Sequence, residues 1–113
     1  MKTAEKKVSN DGLERFWTLA APLLALEGVE RSTMMGFPCL RCSGRYFASI
    51  DKDGTGLIVK LSKARVQALI AEGIGAPFAP AGRVFREWVL VPLVHEASWS
   101  TLMAEAYAFS VNP

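Results

Sequence analysis

Apolar residues recur at helical intervals through Leu13, Phe16, Trp17, Ala20 and Leu24, which predicts an amphipathic helix near the start of the chain. Asp11 with Glu14 three residues on has capping-box spacing, Asp standing in for the usual Ser or Thr, and puts the helix start near Gly12. Pro22 lacks the amide that would bond to Thr18, so the helix should kink or break there, and Gly28 supplies a stop. From Met34 the pattern becomes extended. Phe37 to Cys42, Arg45 to Ile50 and Leu57 to Leu61 are short, aromatic and β-branched, separated by Ser43-Gly44 and by Asp51 to Gly56. They read as a three-stranded antiparallel meander, with Pro38 suited to an edge strand.

Ser62 is placed to cap a second helix carrying Val66, Leu69 and Ile70 on one stripe and stopped at Gly73. After a Gly/Pro/Ala loop, Val84 to Leu93 reads as a fourth strand. Ser98 then caps a last helix with Trp99, Leu102, Met103 and Ala106 inward. Strands grouped before a lone helix argue for an α+β fold, an antiparallel four-stranded sheet with helices in the order α-β-β-β-α-β-α. A Ser43-Gly44 turn sets Cys42 opposite Arg45, Arg41 opposite Tyr46, Leu40 opposite Phe47 and Cys39 opposite Ala48. Both faces of that hairpin then carry apolar groups. The face with Leu40, Cys42 and Phe47 needs a helix or a partner chain over it, which makes Leu40 and Phe47 candidate interface residues.

With 113 residues, 50% of them hydrophobic, the chain suits one domain and leaves too little length for two cores. Residues 1–10 carry Lys2, Lys6 and Lys7 with no apolar stretch behind them, so they read as a flexible tail ahead of a domain spanning 11–113. No apolar run approaches the roughly 18 residues of a membrane span, and the pattern implies a cytoplasmic protein with no membrane partner. Charge changes the picture more than composition does. Met1 to Glu30 has four Lys/Arg against five Asp/Glu, Arg31 to Arg65 has seven against two, and the remainder has two against four. The middle third therefore holds a basic excess, either solvated charge on hairpin tips or an anion-binding surface. Arg41, Arg45, Lys52, Lys60 and Lys63 are its candidate nucleic-acid contacts.

Chemical motifs are few. Cys39-Leu40-Arg41-Cys42 has CxxC spacing, but in a strand residues three apart point to opposite faces, and a redox pair needs a helix N-terminus. With His95 the single histidine, a zinc site lacks ligands, so two reduced, buried cysteines are expected. Asp51-Lys52-Asp53-Gly54-Thr55-Gly56 opens like an EF-hand loop, yet Ser62 stands where the closing Glu belongs and the flanks are strands, so it reads as a hairpin turn. Gly73-Ile74-Gly75 follows a helix, the wrong context for a phosphate loop. His95, Glu96, Ser98 and Ser100 contain triad residue types without a nucleophile elbow. No catalytic residue, metal or cofactor is assigned, and Trp88 and Trp99 read as core anchors whose truncation should each cost about 3 to 5 kcal/mol.

Met35-Gly36-Phe37-Pro38, Gly44-Arg45 with Phe47-Ala48, Val59-Lys60-Leu61, Gly82-Arg83, Glu87-Trp88-Val89 and Tyr107 together resemble the YjbR/MmcQ-like family, a relative of the N-terminal domain of the competence regulator TfoX (Sxy). The likeness spans Leu13 to Phe109 and departs from the family at Met35, where Phe is usual, and at Ser62, where Pro is common. It implies a compact α+β domain whose hairpins have been compared to a double-wing DNA-binding motif. Two functions follow as expectations. One is weak, sequence-tolerant DNA binding by a non-enzymatic domain through its basic hairpins; the other is a protein-interaction or homodimerisation module using an apolar sheet face.

Overall fold

A computed structural model describes the backbone of residues 3–34, 36–51 and 54–113 and the side chains from 11 onward within those ranges. The chain runs α1 (Thr3–Leu24), β1 (Val29–Met34), β2 (Phe37–Cys42), β3 (Arg45–Ile50), β4 (Gly56–Lys60), α2 (Lys63–Ala71), β5 (Ala76–Pro77), β6 (Trp88–Pro92) and α3 (Trp99–Val111). The fold is α+β, but the sheet has six strands in the order β1-β2-β3-β4-β6-β5, every neighbouring pair antiparallel. None of the helices is long and apolar enough to cross a membrane, among the described residues.

Two strands escaped the sequence pattern. The β1 segment VERSTM has half-buried Val29, Ser32 and Met34 among exposed residues, and its charged and hydroxyl residues hide the period of an edge strand, where polar side chains also discourage edge-to-edge pairing. The two residues of β5 are too short to leave a period at all. Because β1 pairs with β2 along its whole length, β2 is an inner strand and Pro38 does not sit at the edge. The last strand begins at Trp88 rather than Val84, since the Phe85 amide bonds to the Phe78 carbonyl and holds the preceding segment in a separate loop. Upstream, α1 already runs from Thr3, so Asp11 lies within the helix and does not cap it. The helix ends two residues after Pro22, where a missing amide costs little because few turns remain to be broken.

Other local signals act as written. Ser62 is extended and its side chain accepts the Arg65 amide at 3.2 Å, the N-cap geometry that satisfies a first-turn donor. Gly73 takes φ +80° beyond α2, and the Gly73 and Ile74 amides return to the Ile70 and Leu69 carbonyls, closing the helix end in the left-handed conformation that glycine tolerates. Ser98 stands at the N-cap of α3 but makes no side-chain bond there, because a 3-10 turn over Leu93–Ser98 already leads into the helix.

One core unites the three helices with one face of the sheet. Phe16, Ala20 and Leu23 from α1, Val66 and Leu69 from α2, and Trp99, Leu102, Met103 and Ala106 from α3 pack on Leu40, Cys42, Phe47, Ala48, Ile50, Leu57, Val59, Val89 and Val91. The β2–β3 register shifts between Leu40 and Arg41, so Leu40 opposes Ala48 and Cys39 opposes Ser49. Opposed residues share a face, and the bulge therefore moves Ala48 to the core side along with Phe47. Leu40 and Phe47 are 0% exposed, and Phe47 meets Tyr107 of α3 edge to face at 5.9 Å. The face expected to need an external partner is covered by the protein's own helices, which removes both residues from any interface.

Candidate binding groove

The basic residues of the middle third do not converge on one surface. Arg41 on β2 opposes Glu30 on β1 and binds its carboxylate at 3.0 Å. That hydrogen bond holds the guanidinium firmly charged, its pKa pushed above the usual arginine value. Lys60 lies 3.9 Å from Glu87, and Arg65 at the start of α2 pairs with Glu105 of α3 at 3.0 Å. Arg45 is exposed at the β2–β3 turn and donates to the Ser110 carbonyl at 3.3 Å. Arg31 lies over the Trp17 ring at 4.6 Å. Lys63 is exposed at the first position of α2 and has no carboxylate partner among the described residues. Lys52 lies outside the described residues. Exposed pairs of this kind contribute little stability, but they lower the net positive potential that the linear charge count implied.

The two cysteines are both free and buried. Cys42 belongs to the core cluster, whereas Cys39 shares the opposite face with Ser32 and Ser49. Burial pushes the Cys39 thiol above its ordinary value near 9.0, against the opposing pull of Ser32 and Arg41. Since only the thiolate reacts, native protein should leave Cys39 unmodified by a disulfide reagent at neutral pH and release it on denaturation; immediate reaction would contradict the buried placement. The same shift sets a sign for stability. Above about pH 9.0 the unfolded chain ionises this thiol first, so stability falls as pH rises toward the folded value.

The Asp51 carboxylate is engaged within its own turn. It accepts the Thr55 amide at 2.8 Å, the Thr55 hydroxyl at 2.9 Å and the Gly56 amide at 3.3 Å. The network satisfies both Asp51 oxygens, each by a donor four or five residues on. Glu96, adjacent to His95, binds Arg15 of α1 at 2.9 Å.

What the structure adds is a groove between α2 and the loop ahead of β6. Val66, Gln67 and Ile70 form one wall, and Pro77, Val84, Phe85, Arg86 and Trp88 form the other, around a cavity of about 250 Å³. The stripe on α2 explains the first wall: Val66 turns inward to the core, while Ile70, one turn on, is left half-buried at its margin. The second wall is built by aromatic packing, with Phe78 6.0 Å from Phe85 and 6.4 Å from Trp88 between ring centroids. Val84 and Phe85 remain 54% and 38% exposed, two of the few large apolar side chains so placed.

Trp88 is therefore no core anchor. It opposes Lys60 at the end of β4, is absent from the core cluster and lines the groove. Its truncation should cost about 2 to 3 kcal/mol, less than that of a fully buried ring, since part of the indole is already in water. Equilibrium denaturation of Trp88→Ala checks this, and a loss above about 3 kcal/mol would place the ring in the core after all. The signal available beforehand was the run Val84-Phe85-Arg86-Glu87, where charges follow two apolar residues without strand alternation.

Comparison of the chain with models of protein families, with curated proteins and with solved structures finds no match in any of the three.

Proposed function

We propose that the protein is a non-enzymatic interaction module whose groove receives an apolar side chain of a protein partner. The observation that carries this reading is the exposure of Val84 and Phe85 beside a cavity of about 250 Å³ with a predominantly apolar lining. Cavities that hold whole small molecules run from roughly 300 to 1,000 Å³. A smaller apolar slot on the surface suits one or two anchor side chains, the arrangement that concentrates binding energy at the centre of protein interfaces. The module's interaction surface thereby moves from the sheet residues Leu40 and Phe47 to α2 and the loop that precedes β6.

A labelled peptide with a Leu-Phe centre flanked by asparagines, compared with the same peptide carrying Ser-Ser, tests the slot. The apolar peptide should bind and shift the Trp88 indole and Ile70 methyl resonances, and Phe85→Ala should weaken it about tenfold, the usual scale for losing part of an anchor pocket. Equal behaviour of the two peptides, or shifts elsewhere on the surface, would overturn the reading.

Weak nucleic-acid association is a second reading, favoured by the exposed positions of Arg45 and Lys63. A YjbR/MmcQ-like kinship, with Gly44-Arg45 at the β2–β3 turn and Lys60 at the end of β4, belongs to this proposal. Each phosphate contact releases counterions, so alanine at Arg45, Lys52, Lys60 and Lys63 should flatten the salt slope of duplex binding by about one unit per contact. No binding at low salt, or identical slopes for wild type and variant, would remove it.

A further inference from the structure

The groove has a charge as well as an apolar surface, and from this we infer the chemistry of its occupant: an acidic protein segment that presents an apolar side chain flanked by Asp or Glu. The inference rests on the interaction-module reading above and adds the sign of the partner. Arg86 lines the cavity directly. Arg83 lies over the face of Phe85, with its guanidinium carbon 5.5 Å from the ring centroid. Lys63 stands one turn before Val66 and Gln67 on α2, so helical spacing brings it to the N-terminal end of the same wall. None of these three cations meets a carboxylate among the described residues, whereas Arg15, Arg41, Lys60 and Arg65 each do.

No acidic group of these elements lines the cavity, and Glu72 at the end of α2 sits with Arg65 and Leu69 at a separate depression. Glu87, next to Arg86 in sequence, faces Lys60, and Glu105 is held by Arg65. The stripe of α2 that faces the cavity contributes Val66, Gln67 and Ile70 and no carboxylate. An apolar slot bordered by uncompensated cations attracts an amphipathic anion, because the anchor side chain gains from leaving water while its flanking carboxylates meet complementary potential at the rim. A basic segment would meet repulsion at the same rim. The lining of the slot is predominantly apolar, so the anchor enters while the carboxylates, costly to bury against apolar walls, stay at the basic rim, an arrangement that a peptide segment supplies.

Three labelled peptides with one Leu-Phe centre and flanks of Asp, Asn or Lys separate the outcomes, read by fluorescence anisotropy at low and high salt on the full chain. The Asp-flanked peptide should bind about three- to tenfold more tightly than the Asn-flanked one at low salt, the scale of a few exposed ion pairs, and the difference should shrink as salt screens them. The Lys-flanked peptide should bind weakest. The triple variant Lys63→Gln, Arg83→Gln and Arg86→Gln should bring Asp and Asn flanks to equal affinity, whatever its affinity for the Asn-flanked peptide itself. These substitutions are at exposed positions, and circular dichroism verifies that the variant is folded. Equal binding of Asp and Asn flanks to the wild type would leave the apolar slot intact and overturn the acidic partner. Failure of all three to bind would overturn the slot itself, and tighter binding by the Lys-flanked peptide would reverse the sign.

Discussion

Replacing Trp99 with alanine is expected to cost about 4 to 5 kcal/mol, near the top of the range for truncating a buried aromatic. The ring is 0% exposed at the first position of α3. It packs in the cluster that joins α1, α2 and the sheet, so the cavity would open where several elements meet and none alone can collapse into it. The indole Nε1 also donates to the Val91 carbonyl at 3.1 Å, tying α3 to β6. A domain of this size has only about 5 to 15 kcal/mol of stability, so the alanine variant should be partly unfolded near body temperature. Trp99→Phe separates the two contributions, since it retains most of the ring and removes the hydrogen bond, with an expected loss of about 1 to 2 kcal/mol. Urea unfolding followed by circular dichroism measures both. A loss under about 1 kcal/mol for the alanine variant would show that α3 is not anchored by this residue.

Gly12→Ala is expected to destabilise by about 2 to 3 kcal/mol, the opposite sign to the gain of about 1 kcal/mol that alanine gives in an ordinary helix interior. Gly12 is buried inside α1. A Cβ built on it would fall on the carbonyl oxygen of Gly54, in the turn between β3 and β4. Both obstructing groups are backbone, so no rotamer change relieves the overlap and either the helix or the turn must move. The Gly54 amide is bonded to the Asp51 carbonyl, and the Asp51 side chain clamps the same turn through Thr55 and Gly56. The helix is therefore the element that yields, withdrawing Phe16 from the core one turn further on. Thermal unfolding of the variant checks the sign, and a raised midpoint would mean that α1 does not rest on this turn.

The middle of the molecule was legible because its residues obey local rules. The strand ranges Phe37–Cys42 and Arg45–Ile50 occur as the alternation and the Ser43-Gly44 turn imply. Gly44 at φ +85° and Ser43 at φ +51° take the left-handed conformations of a tight hairpin. The Ser62 cap, the Gly73 stop and the inward set of α3 are equally local, each depending on a side chain and backbone groups within a turn or two. The candidate site was less legible. Its walls come from α2, which ends at Ala71, and from a loop that reaches the cavity at Val84, and nothing in either segment alone predicts that they enclose a cavity. Charge suffered most, because a count along the chain cannot see that Arg41 meets Glu30 across a strand pair or that Arg65 meets Glu105 between helices.

Local rules along the chain were enough for an α+β fold, its central hairpin, the second and third helices and the opposite facing of Cys39 and Cys42, since helix and strand periods and turn chemistry act over a few residues. The remaining features depend on contacts between distant segments. The bulge between Leu40 and Arg41 altered the register and gave both Phe47 and Ala48 to the core. The edge strands β1 and β5 exist because their neighbours offer unpaired backbone groups, which a polar or two-residue segment satisfies whatever its side-chain period. Which tryptophan became an anchor and which became a groove wall followed from where three helices could crowd one sheet face, and that competition for a single apolar surface is settled only when the whole chain packs.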